Sequence, residues 1–174
     1  VTGAIKYFDA QVDDARHTMM IARTAARHGA VIATGVKVES LVKEGKRVLG
    51  VKARDIESGK LITIKATATV MCAGIWSDEL HESFGLKAGY NVTMSKGVHI
   101  VLPKNAIKSK EGIILKTALS VLFLIPWADK WIVGTTDTPY TGDRRKPLAE
   151  RADVEYIINE ANKVLKPKLK IEDV

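Results

Sequence analysis

The sequence has a single cysteine, no metal-ligand pattern and no long apolar run. Cys72 is the one cysteine in 174 residues, which excludes an internal disulfide and favours a reducing, cytoplasmic compartment. Its apolar surroundings predict an inert, buried thiol. The four histidines are scattered, so no metal site is predicted. Because no stretch of about 18 apolar residues occurs, no transmembrane helix is predicted.

The sequence also lacks a concentrated basic arm, although its net charge is +7. Residues 1–87 carry 13 basic and 10 acidic side chains, and residues 88–174 carry 14 and 10. This even distribution predicts no nucleic-acid partner. Two local basic clusters are interpreted as solvated faces, with contact to an anionic membrane surface as the alternative: residues 144–146, and Lys163, Lys166, Lys168 and Lys170.

The first half of the chain combines one helix with an antiparallel meander. Residues 12–29 have helical apolar spacing with acidic residues in the first turn, and Gly29 is placed to end the helix. The apolar side of this helix is mostly small, which predicts packing on a sheet. Strands joined by glycine-containing turns are predicted over residues 30–33, 36–42, 48–55 and 61–66.

A continuous apolar run over residues 69–73 is typical of a strand covered on both faces. Gly74 follows it, and Ser77 is the predicted N-cap of a short helix. A strand, a glycine turn and a helix N-terminus together allow a cofactor to approach backbone N–H groups. Asp78 and Glu79 already occupy the helix N-terminus, so we expect a ring or a ribityl chain there instead of a bare phosphate.

The second half is organised around residues 93–103. Apolar residues alternate over 98–102, the period of a half-buried strand, and a proline ends the run. Lys96 and His99 stand at the start of this strand with Gly97 between them, so a rigid element carries a cation and an imidazole. The alternative without chemistry is a core strand with a solvated lysine and a hydrogen-bonded histidine.

Further strands follow in the second half and imply a second, mostly antiparallel sheet. Residues 134–137 bring a glycine, two hydroxyls and a carboxylate to a strand end. This cluster either positions a polar ligand or satisfies its own turn, and the residues alone favour the turn. An amphipathic helix begins near Asp153 and ends before Pro167. The predicted fold class is α+β, with the strands of this half over residues 112–115, 121–127 and 131–138.

Three signatures occur in a fixed order along the chain. Val-Met-Cys-Ala-Gly-Ile-Trp-Ser-Asp (70–78) is similar to the ATGxWxD turn of FAD-dependent amine and glycerophosphate oxidoreductases. Ser-Lys-Gly-Val-His-Ile-Val-Leu-Pro (95–103) resembles the KGxHIVxP strand of FAD-linked glycerol-3-phosphate dehydrogenases and alpha-glycerophosphate oxidases. Ile-Pro-Trp (125–127) with Gly-Thr-Thr-Asp-Thr (134–138) looks like their IPW…GTTD segment. Residues 72–75 depart from the usual Ala-Thr-Gly-Pro, but small residues preserve the turn.

The resemblance implies a D-amino-acid-oxidase-like flavoprotein that oxidises glycerol 3-phosphate and passes electrons to quinone or oxygen. It implies that residues 1–88 are part of an FAD-binding domain and residues 89–174 a substrate-binding domain. No Gly-x-Gly-x-x-Gly follows an opening strand, so we expect a central fragment that depends on the remaining FAD domain. A peripheral place on the inner face of the membrane is also implied. The alternatives are another amine or hydroxy-acid oxidoreductase of this superfamily, or a basic membrane-docking module.

The resemblance also implies roles for individual residues. His99 matches the active-site histidine, as the base or as a hydrogen-bond donor to the C2 oxygen of the substrate. Lys96 is expected to assist the substrate phosphate or to stabilise the charge of reduced flavin. The remaining expected contacts are Thr136, Asp137 and Arg16 for the substrate, and Val38, Gly74, Trp76 and Thr135 for FAD.

Overall fold

The structure, a computed structural model, describes residues 3–118 and 120–174. The described chain divides into two compact units, one ending at Tyr90 and the other spanning Asn91–Val174. Helices and antiparallel sheets occur in both, which confirms the α+β fold class. No helix among the described residues is long and apolar enough to cross a bilayer.

Helix α1 (Asp14–Arg27) opens the first unit. The carboxylate of Asp13 accepts a hydrogen bond from the backbone N–H of Arg16 at 3.0 Å and so caps the helix. Gly29 follows the helix with a φ of 91°, a conformation that glycine adopts without a steric penalty. Every residue of α1 is at least partly exposed, so the predicted packing of this helix on a sheet does not occur within the described residues.

The predicted meander forms the sheet of the first unit. Strands β1 (Val36–Glu44), β2 (Arg47–Asp55) and β3 (Leu61–Lys65) pair antiparallel in sequence order. The strand predicted over residues 30–33 is wrong, because these residues pair with no described strand and Val31 is 93% exposed. The continuous apolar run indicated a preference for burial there, but the described residues supply nothing to cover it.

The strand predicted over residues 69–73 is also wrong. These residues form no strand, and Val70 is 81% exposed. A strand covered on both faces needs neighbouring strands and a layer on each side, and the described residues offer it neither. Cys72, predicted to be buried, is exposed for the same reason.

A 3-10 turn (Gly74–Trp76) leads from this segment into α2 (Ser77–Ser83). Ser77, predicted as the N-cap, is instead the first helical residue. Its hydroxyl donates a hydrogen bond to the carbonyl oxygen of Gly74 at 2.7 Å, so it stabilises the turn before the helix.

The second unit contains the predicted antiparallel sheet. Its strands are β4 (Ser95–Lys96), β5 (His99–Pro103), β6 (Ile113–Lys116), β7 (Val121–Trp127), β8 (Lys130–Gly134) and β9 (Thr138–Pro139). The four longer strands are arranged in the order β5-β8-β7-β6, and every neighbouring pair is antiparallel. The two short strands, β4 and β9, pair with each other.

Helix α3 (Arg151–Ala161) covers one face of this sheet and makes its core. Full burial of a leucine or isoleucine side chain stabilises the fold by about 1.5–3 kcal/mol, so the cluster holds helix and sheet together. The indole nitrogen of Trp131 in this cluster donates a hydrogen bond to the carbonyl oxygen of Lys104 at 3.1 Å. The buried cluster includes Ile100, Leu102, Leu122, Leu124, Trp131 and Val133 from the sheet, and Ile157, Ile158 and Ala161 from α3.

Candidate active site

His99 is the first residue of β5 and lies on the sheet face opposite α3. Ile100 and Leu102 are buried in the core with α3, so alternation along the strand places His99 and Val101 on the other face. The His99 side chain is exposed, and its ring makes no hydrogen bond with any residue that the structure describes. Both ring nitrogens are therefore accessible to a ligand on this face.

The sheet face around His99 is apolar, and none of the described residues of the second unit covers it. Val101 and Ile114 on this face are 48% and 46% exposed. The cross-strand register aligns two rows on this face: His99, Gly134, Phe123 and Ile114, then Val101, Ile132 and Ile125. The imidazole is the one side chain in these two rows that can donate or accept a hydrogen bond with a ligand bound there.

Lys96 is buried and ion-paired, so the interpretation that it is a solvated lysine is wrong. Its ammonium nitrogen lies 2.8 Å from Oδ2 of Asp153 and 3.7 Å from Oε1 of Glu150. It also donates a hydrogen bond to the carbonyl oxygen of Leu148 at 3.3 Å. The Lys96 and Asp153 side chains are each 8% exposed. The ammonium group thus joins β4 to the first turn of α3.

The environment shifts the pKa of both partners in this pair. Burial acts to raise the pKa of Asp153, but hydrogen bonds from Lys96 and from the backbone N–H of Glu150 outweigh it, and the pKa lies below its ordinary value. The hydrogen bond to Asp153 raises the pKa of Lys96. Both groups are therefore charged at neutral pH. Asp153 also forms a capping box with Glu150, so one carboxylate serves the helix end and the lysine.

The hydroxyls that follow β8 bind the protein's own backbone. Thr136 is 3% exposed, and its Oγ1 accepts a hydrogen bond from the N–H of Val98 at 3.0 Å and donates one to the carbonyl oxygen of Lys96 at 3.2 Å. Thr135 donates its hydroxyl hydrogen to the carbonyl oxygen of Thr136 at 2.8 Å. Asp137 accepts a hydrogen bond from the hydroxyl of Ser95 in β4. These contacts favour the interpretation that this cluster satisfies its own turn.

The other predicted site residues lie in the first unit. Arg16 is exposed in the first turn of α1, and Val38 in β1 is 38% exposed. Trp76 in the 3-10 turn is 42% exposed. Gly74 has a φ of 55°, and nothing lies within 4 Å of the place a Cβ would take, so a ligand can approach its backbone.

The structure thus brings one set of predicted residues together and leaves the others on separate elements. Within the second unit Lys96, His99 and the 135–137 segment lie around the β5–β8 strand ends. In the first unit Arg16, Val38 and the Gly74 turn belong to three different elements. The roles of all nine residues stay predictions.

The sequence predicts Asp153 at the start of a helix but does not predict its ion pair with Lys96. A signal was present, because Lys96 precedes Val98, Ile100 and Leu102 at intervals of two residues. A lysine in phase with buried residues is directed toward the core, where its charge requires a carboxylate. The sequence did not indicate which of the acidic residues would meet it.

The second unit thus carries an imidazole without hydrogen bonds to the described residues on an exposed apolar sheet face, and the first unit carries an accessible glycine turn. A family model described as FAD dependent oxidoreductase matches residues 1–174. The chain belongs to this family of FAD dependent oxidoreductases.

Individual relatives are more specific in name. The glycerol-3-phosphate dehydrogenase of Mycobacterium leprae is 44% identical over 172 residues, which are 99% of this chain and 29% of the relative. The alpha-glycerophosphate oxidase of Streptococcus pyogenes serotype M18 is 35% identical over 162 residues, 90% of this chain and 26% of the relative. The chain therefore spans less than a third of the length of these relatives.

A solved structure with a similar fold carries the same name as the dehydrogenase relatives. The glycerol-3-phosphate dehydrogenase of Bacillus halodurans, in complex with FAD, matches with a TM-score of 0.84 and 35% identity. The match covers 94% of this chain and 34% of that protein.

Proposed function

We propose that this chain is part of a flavoenzyme that oxidises sn-glycerol 3-phosphate to dihydroxyacetone phosphate. The observation that carries the proposal is the His99 imidazole, which is exposed on an apolar sheet face and free of hydrogen bonds to the described residues. The substrate is supported by the names of the relatives, which are glycerol-3-phosphate dehydrogenases and alpha-glycerophosphate oxidases.

The residues of the chain fit a part of an FAD site. FAD, when bound, supplies an acceptor for the hydride that leaves C2 of the substrate. The backbone of Gly74 is accessible, and the side chains of Trp76 and Val38 are partly exposed to solvent. We assign these residues and Thr135 to FAD contacts, and residues 1–88 to a partial FAD-binding domain. The sequence contains no Gly-x-Gly-x-x-Gly, so the remaining FAD domain of the same polypeptide would hold the pyrophosphate.

His99 acts as the base in this proposal, and residues 89–174 form the substrate-binding domain. As the C2–H bond breaks and its electron pair leaves, the C2 hydroxyl loses its proton to a ring nitrogen of His99 and the C2–O bond becomes a carbonyl.

The buried pair changes the role that we assign to Lys96. Its ammonium group already contacts Asp153 and the carbonyl of Leu148. We therefore assign Lys96 a structural role, which is to hold β4 and the strand that follows in position. Arg16 and Asp137 are exposed and are the remaining candidates for substrate contacts, whereas Thr136 is buried with its hydroxyl bound to backbone.

For the electron acceptor we propose a quinone, with oxygen as the alternative, since the relatives include both dehydrogenases and an oxidase. A cytoplasmic enzyme bound peripherally to the inner membrane face would meet a quinone there. Sedimentation of the full-length gene product with anionic liposomes tests this location. Binding that high salt releases supports it, and the absence of binding contradicts it.

The experiment that tests the activity is glycerol 3-phosphate oxidation by the full-length gene product, first with an artificial electron acceptor and then with oxygen alone. Turnover with the acceptor only identifies a dehydrogenase, and peroxide formed from oxygen identifies an oxidase. Absence of turnover with either acceptor, in a preparation that retains bound flavin, contradicts the proposed substrate.

A further inference from the structure

Gly134 lies directly opposite His99 in the antiparallel pairing of β5 with β8. A Cβ atom at position 134 would stand 2.5 Å from Cδ2 and 2.8 Å from Cγ of His99. It would also stand 2.8 Å from the carbonyl oxygen of Val98. The imidazole therefore occupies the space that any other side chain at position 134 would need.

The φ angle of Gly134 does not require a glycine at this position. Gly134 is not among the glycines with a positive φ, the region that L-residues rarely adopt. Space is a constraint: two of the three nearest atoms belong to the ring of His99, and the third is the backbone carbonyl oxygen of Val98.

A second glycine, Gly97, lies close to a side chain of the facing segment. A Cβ at Gly97 would stand 2.6 Å from Oγ1 of Thr135. Between the two close approaches, the buried hydroxyl of Thr136 connects the N–H of Val98 with the carbonyl of Lys96. The segments 96–99 and 134–136 are therefore fitted to each other, and each contributes a glycine where the other contributes a side chain.

We propose that Gly134 is a positioning residue for His99. Without a side chain at position 134, the imidazole lies against the backbone of β8, and this contact fixes where the ring nitrogens stand above the apolar face. The catalytic consequence rests on the proposed function of His99 as the base, but the placement of the ring does not, so the two are tested separately.

The first test is the variant Gly134→Ala in the full-length gene product, compared with Gly112→Ala. A Cβ at Gly112 would meet only ordinary contacts, at 3.5 Å from the carbonyl oxygen of Leu124 and 3.7 Å from Cδ of Pro126. Displacement of a catalytic group by about 1 Å lowers turnover by up to about 100-fold, so we expect Gly134→Ala to lower kcat about 10- to 100-fold. KM should change less than about threefold, and Gly112→Ala should leave both constants near wild type.

Imidazole NMR signals of histidine-labelled protein test the placement without any turnover. The His99 signal is the one lost in His99→Ala. We expect it to shift in Gly134→Ala and to stay in place in Gly112→Ala. An unchanged His99 signal in Gly134→Ala overturns the inference. If the signal shifts but the wild-type protein does not oxidise glycerol 3-phosphate, the positioning stands and the proposed function fails.

A double-mutant comparison separates positioning from general damage to the fold. If Gly134 acts through His99, adding Gly134→Ala to His99→Ala lowers turnover less than about threefold further. An equal loss in both backgrounds overturns the inference. If Gly134→Ala alone does not fold, the double variant should fold, because truncation of the ring removes two of the three close contacts. Failure of both to fold assigns the glycine to the Val98 carbonyl and overturns the inference as well.

Discussion

At the scale of single residues, the Asp153 carboxylate both pairs with Lys96 and caps the N-terminal turn of α3. One of its oxygens accepts hydrogen bonds from Lys96 and from the N–H of Glu150, both at 2.8 Å, inside a site that is 8% exposed. A buried charge is costly unless it is paired and hydrogen-bonded, and this one is both. Its ionisation state should therefore be visible in the stability of the protein.

The pKa of Asp153 lies below its ordinary value of 3.8, and the pKa of Lys96 lies above 10.5. A lowered carboxyl pKa contributes stability that is present above 3.8 and is lost as the pH falls through the folded-state value. We expect the difference in Tm between wild type and Asp153→Asn to be constant from about pH 5 to pH 9 and to shrink below about pH 4. Thermal unfolding across this range measures it, and a difference that grows on acidification contradicts the assignment.

The same pH argument has an alkaline limit. A raised lysine pKa contributes stability that is fully present below 10.5 and is lost as the pH rises through the folded-state value. The pair therefore stabilises the protein over the whole neutral range.

At the scale of elements, the ion pair joins β4 to the N-terminal turn of α3. Removing one partner of a buried pair leaves the other charge without compensation, which is strongly destabilising. We expect Asp153→Asn to lower the Tm of the full-length gene product by at least about 5 °C.

Asp129→Asn is the matched control for this variant. Its carboxylate lies 3.7 Å from Lys130, and the two side chains are 82% and 53% exposed. Exposed pairs of this kind contribute little to stability, so the Tm should change by less than about 2 °C. Equal effects of the two substitutions would show that burial does not set the strength of the Lys96–Asp153 interaction.

The elements that the sequence predicted well are those whose cover lies in the same chain. The alternation in β5 places Ile100 and Leu102 on the core face, and Pro103 ends the strand as predicted. The runs at 30–33 and 69–73 are also mostly apolar, but they pair with no strand among the described residues. A hydrophobic pattern states a preference for burial and does not supply the partner.

The candidate site shows the same limit. The motif around His99 was recognisable, and the strand carries its imidazole as expected. Its surroundings were not predictable, because they depend on register: Gly134 lies opposite His99 only through the pairing of β5 with β8, and Asp153 reaches Lys96 across 57 positions of sequence.

At the scale of the whole molecule, we expect the 174-residue chain alone to bind FAD weakly and to show no turnover. Tight binding of a dinucleotide requires a glycine-rich turn for the pyrophosphate, and the sequence contains no Gly-x-Gly-x-x-Gly. The absorbance spectrum of the purified chain, recorded after incubation with FAD and removal of the free FAD by dialysis, measures this binding. A yellow protein with a flavin spectrum would contradict this expectation.

The most direct test of the proposed function is the turnover of glycerol 3-phosphate by His99→Ala in the full-length gene product. Loss of a general base lowers kcat by about 100-fold or more, and we predict a loss of this size with bound flavin unchanged. His28→Ala is the matched control, since His28 is an exposed histidine at the end of α1 to which no contact with substrate or FAD is assigned. It should stay within about threefold of wild type. Turnover of His99→Ala within about threefold of wild type would contradict the assignment of His99 as the base.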